Sequence, residues 1–260
     1  MAFSPNDYIA VFDSGVGGVS VLRHLKRLMP CERYIYYGDC ANAPYGKRST
    51  EQVRQLTLAA VEKILAEHPV KALVVACNTA TSAAIGHLRT LYPELIVIGI
   101  EPALKLAADR FPGGRIGVMA TDVTLREEKF DLLLQRWGAS CRVDKISAPG
   151  LVELVEQGLE HSEAAFGLLE PILAPYKGKL DALVLGCTHY PFASAVIRDI
   201  LGPGTALLDG GDGTARETLH RLQRADLLAK PGDGCVIFKT SGEEAAFKAL
   251  ATRLLNTREV

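Results

Sequence analysis

The stretch Leu73-Val74-Val75-Ala76-Cys77-Asn78-Thr79-Ala80-Thr81 (LVVACNTAT, residues 73–81) runs from an apolar strand into a cysteine and a short polar turn. A second segment, Leu183-Val184-Leu185-Gly186-Cys187-Thr188-His189-Tyr190-Pro191, does the same about a hundred residues later. Apolar runs of this length, made of Val, Leu and Ala without polar alternation, are the mark of parallel strands buried on both faces. Similar runs recur at Tyr8–Phe12, Arg33–Tyr37, Leu95–Ile100, Arg115–Met119, Arg142–Ile146, Ala206–Leu208 and Cys235–Phe238, with the strand of the opening stretch read as Ala72–Ala76 and its counterpart as Ala182–Leu185. Helical patterns fall between them. Ser49-Thr50-Glu51-Gln52 is a capping box opening a helix toward His68, and Thr124–Glu127 repeats the pattern for a helix toward Trp137. The expected class is therefore α/β with mostly parallel sheets.

Two halves of similar design are suggested by matching segments. Ile9-Ala10-Val11-Phe12 resembles Ile116-Gly117-Val118-Met119, and the offset from position 9 to 116 nearly equals that from Cys77 to Cys187. Open α/β sheets bind ligands beyond the carboxyl ends of their strands. Two such halves facing each other would put Cys77 and Cys187 on opposite walls of one cleft.

The composition narrows the partners. The chain has 260 residues, 48% hydrophobic and 23% charged, with a net charge of −1. A near-neutral balance gives no reason to expect nucleic acid as partner, and no apolar run is long enough to span a membrane. The N-terminal MAFSPNDYIAVFDSG has no basic segment followed by an apolar one, so a cytoplasmic location with reduced thiols is expected. The six cysteines form no CxxC pair, so neither a zinc knuckle nor a disulfide framework is expected.

Free cysteine often only packs. Polar company separates Cys77 and Cys187 from Cys31, Cys40, Cys141 and Cys235: Asn78 and Thr79 follow the first, Thr188 and His189 the second. A thiol with a pKa of about 8.5 can take or give a proton near neutral pH. One thiol on each side of a bound carbon could remove a proton from one face and return one to the other, inverting a stereocentre with no metal and no redox step. The segment Asp13-Ser14-Gly15-Val16-Gly17-Gly18 ends the first strand with an acid, a hydroxyl and glycines. Gly15-x-Gly17 with Asp39 fits a dinucleotide turn, although Ser20 stands at the third glycine position and Asp13 would repel a pyrophosphate; a tight capped turn is the plainer alternative. The loop from Gly38 to Gly46 puts Asp39 and Tyr45 at the same sheet edge.

Taken in order, DSGVGG, YGD…PYG, ACNTAT, GIEPALK and GCTHYP, between about Ala10 and Arg216, are similar to the motifs of the cofactor-independent glutamate racemase family. The resemblance implies two α/β domains, residues 1–97 with 209–260 and residues 98–208, around a central active site. It implies Cys77 and Cys187 as the acid/base pair, Asp13 assisting the first and His189 the second, and Glu156 as the helix acid after Ala148-Pro149-Gly150-Leu151-Val152. Asp13, Ser14, Tyr45, Gly46, Asn78, Thr79, Thr188 and His189 would hold L- or D-glutamate, with Thr121 a lesser candidate. No cofactor and no metal are implied. A cytoplasmic homodimer supplying D-glutamate for peptidoglycan is implied as well. Asn42, Ala148 and Gly210-Gly211 depart from the family's usual arginine, cysteine and serine, and none of these replaces a proposed catalytic group.

Overall fold

The computed structural model describes residues 3–126, 128–137, 140–232 and 234–257. Its strands are β1 (Tyr8–Asp13), β2 (Arg33–Gly38), β3 (Val70–Val75), β4 (Ile96–Gly99), β5 (Arg115–Ala120), β6 (Arg142–Ser147), β7 (Ala182–Leu185), β8 (Ala206–Asp209) and β9 (Cys235–Thr240). They form two sheets, ordered β4-β3-β1-β2-β9 and β6-β5-β7-β8, and every pairing is parallel. The internal resemblance in the sequence is visible here as topology. β4-β3-β1-β2 and β8-β7-β5-β6 have the same connectivity, with β9 added at one edge of the first sheet.

This strand order fixes where a site can form. In each sheet the chain steps from the first strand to one side and then returns to the other, so β1 and β3 flank one switch point and β5 and β7 the other. Loops leaving adjacent strands in opposite directions open a crevice there. The residues that leave those strands are Asp13-Ser14 and Cys77 in the first lobe, and Thr121 and Cys187 in the second.

The crossing helices are α1 (Val19–Leu28), α2 (Thr50–Glu67), α3 (Asn78–Leu91), α4 (Leu104–Arg110), α5 (Asp122–Arg126), α6 (Glu128–Trp137), α7 (Leu151–Glu156), α8 (Glu163–Leu173), α9 (Ser194–Leu201), α10 (Gly211–Arg224) and α11 (Glu244–Asn256). The capping box at Ser49 forms as read: its Oγ accepts from Gln52 N at 3.2 Å and Gln52 Oε1 accepts from Ser49 N at 3.1 Å. The second capping pattern includes Glu127, which lies outside the described residues. The helix there begins earlier, at Asp122, with Thr121 Oγ1 accepting from Thr124 N at 3.4 Å.

Two boundaries differ from the sequence reading. β3 begins at Val70 and carries Lys71, whose side chain is fully buried. Its ammonium is compensated by Glu32 at 2.6 Å and by the Pro5 and Leu227 carbonyls at 2.6 and 2.9 Å. A buried charge is tolerated only with such partners. The expected domain boundary at 97/98 falls inside β4, which pairs with β3 from Ala72↔Ile96 to Val75↔Gly99 and so keeps the chain in the first sheet through Gly99. Among the described residues no helix is long and apolar enough to cross a membrane.

The largest core cluster joins the lobes. Val16, Val19 and Leu22 from the β1–α1 region share it with Leu183, Leu185, Tyr190 and Phe192. The lobes are thus packed against each other, and the crevice between their switch points lies at the edge of a common core.

Candidate active site

A cavity of about 90 Å³ lies between the two switch points. Ser14, Tyr45, Gly46, Cys77, Asn78 and Thr79 line it from the first lobe; Thr121, Cys187, Thr188 and His189 line it from the second. Ten positions singled out in the sequence therefore meet around one cavity. Asp13 and Glu156 do not line it but stand behind the wall, where they bond its lining residues.

Cys77 is the N-cap of α3. Its Sγ accepts from Ala80 N at 3.4 Å and lies 3.6 Å from Ser14 Oγ. Burial and the nearby Asp13 carboxylate push this thiol up to about 12, against the pull of the Ala80 N–H and Ser14. The resting group at neutral pH is therefore the thiol. Asn78 and Thr79 open α3, where first-turn N–H groups have no intrahelical acceptor and favour an anion. Asn78 Oδ1 is buried without a hydrogen-bond partner, an acceptor available to a ligand's N–H.

Cys187 follows β7 but enters no α-helix directly. Gly186-Cys187-Thr188-His189 leads into a 3-10 turn at Tyr190–Ala193. Cys187 Sγ lies 3.7 Å from His189 Nδ1, and His189 Nε2 lies 2.6 Å from Glu156 Oε1. Burial opposes charge on the imidazole, but the hydrogen bonds and charges of Cys187 and Glu156 prevail and raise its pKa well above 6.5.

The two halves exchange acids. Asp13, fully buried at the end of β1, accepts from the Thr188 hydroxyl of the other lobe at 2.9 Å and from Gly15 N at 2.9 Å. Burial raises its pKa above 3.8, opposed by His189 and these donors. Glu156, on α7, accepts from Val16 N of the first lobe at 2.8 Å. The exchange is possible because the glycines of the 13–18 segment leave no side chain in the way. A Cβ on Gly15 would strike Glu156 Oε1, and one on Gly17 would meet His189 Nδ1 and lie 2.6 Å from Thr188 Oγ1. The motif that fits a dinucleotide turn is instead the surface on which the second lobe rests.

Tyr45 and Asp39, read from the sequence as lying at one sheet edge, divide between the cavity and the interior. Tyr45 lines the cavity, while Asp39 is buried behind it. Asp39 accepts from the Tyr45 hydroxyl at 2.6 Å, from Ser241 Oγ at 2.6 Å and from Asn42 Nδ2 at 3.1 Å. Thr79, Thr121 and Thr124 form a hydroxyl cluster across the lobes at 3.0–3.3 Å. Thr124 was read only as a helix cap, and the rim residues Lys47 and Glu153 were not singled out in the sequence. Lys47 had a signal, since it directly follows Pro44-Tyr45-Gly46, whereas Glu153 looks like any solvated helix acid. Among the described residues no group of three or more His, Cys, Asp or Glu side chains is arranged to hold a metal ion.

Comparison with known proteins agrees with this geometry. The profile of the Asp/Glu/hydantoin racemase family matches residues 11–218. A glutamate racemase of Clostridium perfringens is 45% identical over 232 residues, covering 88% of this chain and 89% of that protein. A crystal structure of a Bacillus anthracis glutamate racemase isoform superposes with a TM-score of 0.87 at 34% identity, covering 98% of this chain and 96% of that one. The Escherichia coli glutamate racemase, solved with L-glutamate, gives 0.85 at 31% identity with 96% of each chain covered. A match over most of the chain, carried by the same two-sheet architecture, means that this chain belongs to the Asp/Glu/hydantoin racemase family of isomerases.

Proposed function

We propose that this protein is a glutamate racemase, interconverting L- and D-glutamate by proton transfer between two cysteines and the α-carbon. The observation that carries the reading is the pair of buried thiols lining one cavity from the ends of equivalent strands, each with its own acid/base partner. In one direction a thiolate takes the α-proton, leaving the electron pair on carbon. The opposite thiol then delivers its proton to the other face. The second thiol ends as thiolate and the first as thiol, so the return reaction starts from the exchanged state. Cys187 takes the proton from L-glutamate and Cys77 from D-glutamate.

The weakly acidic α-hydrogen is the difficulty, and three features address it. Asn78 and Thr79, with the first turn of α3, offer donors to the substrate carboxylates, in which charge builds as the proton leaves. Both thiols are nearly out of water, so each charge interaction is strong. His189 stands where it can accept or return the Cys187 proton through a direct contact, while the Asp13 charge near Cys77 favours the protonated thiol there. Relative motion of the lobes, residues up to Gly99 with the chain from Gly210 onward against residues 100–209, admits substrate and closes over it. In the same reading the enzyme is a cytoplasmic homodimer whose D-glutamate feeds peptidoglycan synthesis; light scattering and rescue of a D-glutamate-requiring strain test those two points.

The direct test is incubation of the purified protein with L-glutamate in D2O without added cofactor. Loss of optical rotation together with deuterium entering at the α-carbon is the expected result. Absence of both, with glutamate, aspartate and other acidic amino acids alike, overturns the reading.

A further inference from the structure

The mouth of the cavity carries an ion pair for which the chemistry of the thiols has no use. Lys47 closes the 3-10 turn Tyr45–Lys47 of the first lobe, and Glu153 sits on α7 of the second. Lys47 Nζ lies 2.5 Å from Glu153 Oε1, and both residues line the cavity. With side chains 68% and 33% exposed, they meet across the lobes at the solvent end of the cavity.

This pair differs from the other acid contacts that the same segment makes. Glu156 reaches Val16 N and His189 inside the protein. Glu160, almost fully buried, is held by Arg253 through two hydrogen bonds at 2.6 and 3.1 Å. Those two contacts bridge the lobes. In the Lys47–Glu153 pair both partners reach water, whereas Glu160 is almost fully buried, and exposed pairs are individually weak.

The charge at the rim explains why a weak pair there matters. Lys47 is the one lysine or arginine among the described residues lining the cavity, whereas Asp122 and Glu153 both supply carboxyls. Asp122 is bonded by the Ser147 hydroxyl at 2.6 Å. Glu153 has its pKa lowered: burial opposes this, but the Lys47 hydrogen bond and charge outweigh it. A dicarboxylate amino acid approaching this mouth therefore meets two acids and a single ammonium, and one of the acids already holds that ammonium. A lysine is suited to change partners, because its charge is compact and rides on four flexible carbons.

We propose that Lys47 is the capture residue for the carboxylate of the incoming substrate and that Glu153 is its internal competitor. Lys47 leaves Glu153 to meet the anion, and the pair re-forms over the cavity once the substrate is inside, shutting out water. The proposal rests on the glutamate racemase reading and adds to it a residue that governs capture of acidic substrates.

Competition and simple structural support give opposite signs, which makes the test direct. Racemisation is followed by circular dichroism for the wild type, Lys47→Gln and Glu153→Gln at low and high salt, with melting temperature as a check on folding. Lys47→Gln is expected to raise KM roughly three- to tenfold with kcat nearly kept, the signature of a lost rim charge. Glu153→Gln is expected to lower KM roughly threefold, because the ammonium is freed, and salt should shrink both differences. KM rising in both variants, or unchanged in both, while the wild type racemises glutamate overturns this proposal alone. A wild type inert toward glutamate overturns the function reading and this proposal with it.

Discussion

The two thiols occupy equivalent places in equivalent sheets, yet their surroundings differ. Cys77 caps a fourteen-residue α-helix, accepts from the Ala80 N–H and donates to Ser14 Oγ, with the buried carboxylate of Asp13 nearby. Cys187 has no helix of its own at that point and rests against an imidazole that is in turn held by Glu156. Equivalent places in the two sheets thus carry different neighbours, a buried carboxyl near one thiol and an imidazole against the other. A racemase must handle two mirror-image substrates, but its own L-residues cannot be mirror images. Equivalent function on the two sides has to come from different chemistry, and the crossed acids Asp13 and Glu156 tie each side's chemistry to the other lobe.

The largest effect should come from removing either thiol. Cys77→Ser and Cys187→Ser are each expected to lower kcat in both directions by roughly 10³-fold, the scale of a lost general acid or base. The comparison breaks if one variant keeps near wild-type racemisation by polarimetry, since one side would then be dispensable.

Next in size is the contact between the sides. Gly17→Ala puts a methyl against His189 and Thr188 together, and a misplacement of about 1 Å in a reacting group can cost roughly 10²-fold in rate. Overpacking should also lower unfolding free energy by about 1–3 kcal/mol in urea titrations. Gly86→Ala in the middle of α3, where the new Cβ meets nothing within 4 Å, is the control and should stabilise by about 0.5–1 kcal/mol. Equal behaviour of the two variants would mean that the glycine-lined approach of the lobes is not what aligns the site.

These expectations also mark how far the sequence could be read. Apolar runs made the buried inner strands β1, β3, β5 and β7 plain, because a strand buried on both faces needs little but apolar side chains, whereas β6 and β9 are more exposed and β6 carries Arg142, Asp144 and Lys145. Lys71 hid the start of β3, since nothing local announces that Glu32 and two distant carbonyls will neutralise it. The cavity-lining residues stood out because polar groups at strand ends have few structural uses. Asp39 was visible as an acid but its place was not. Only the fold shows that it faces Tyr45 and Ser241 from behind, the latter 202 positions away. The rim pair was illegible for the same reason: Lys47 and Glu153 meet only when two lobes are folded against each other.

A smaller effect sharpens the comparison on the Cys187 side. Glu156→Gln keeps an acceptor for Val16 N but removes the charge beside His189. Racemisation should fall about tenfold, equivalent to about 1.4 kcal/mol in the barrier. Its pH profile should also shift to lower pH on the limb that reports His189, because one of the groups raising that pKa is gone. An unchanged profile would separate Glu156 from the titration and leave it a purely structural link.

The smallest effect is in stability against pH, and its sign is fixed by the direction of the shift. His189 has a folded pKa raised well above 6.5, so the protonated imidazole is favoured in the native state. Its contribution is complete below about 6.5, where the unfolded chain is protonated too, and is lost as pH rises from there through the raised folded value. Asp13, also raised by burial, acts in the same sense but from 3.8 upward. Because the His189 charge also lowers the Asp13 pKa, the comparison of wild type with His189→Asn reads the two groups together. The melting-temperature gap between them should be widest at and below pH 6.5 and narrow on going alkaline, at about 2–4 °C for each kcal/mol lost. A gap independent of pH would mean that the imidazole contributes by packing and hydrogen bonding alone, and the proton store assigned to the Cys187 side would have to be sought in Glu156 instead.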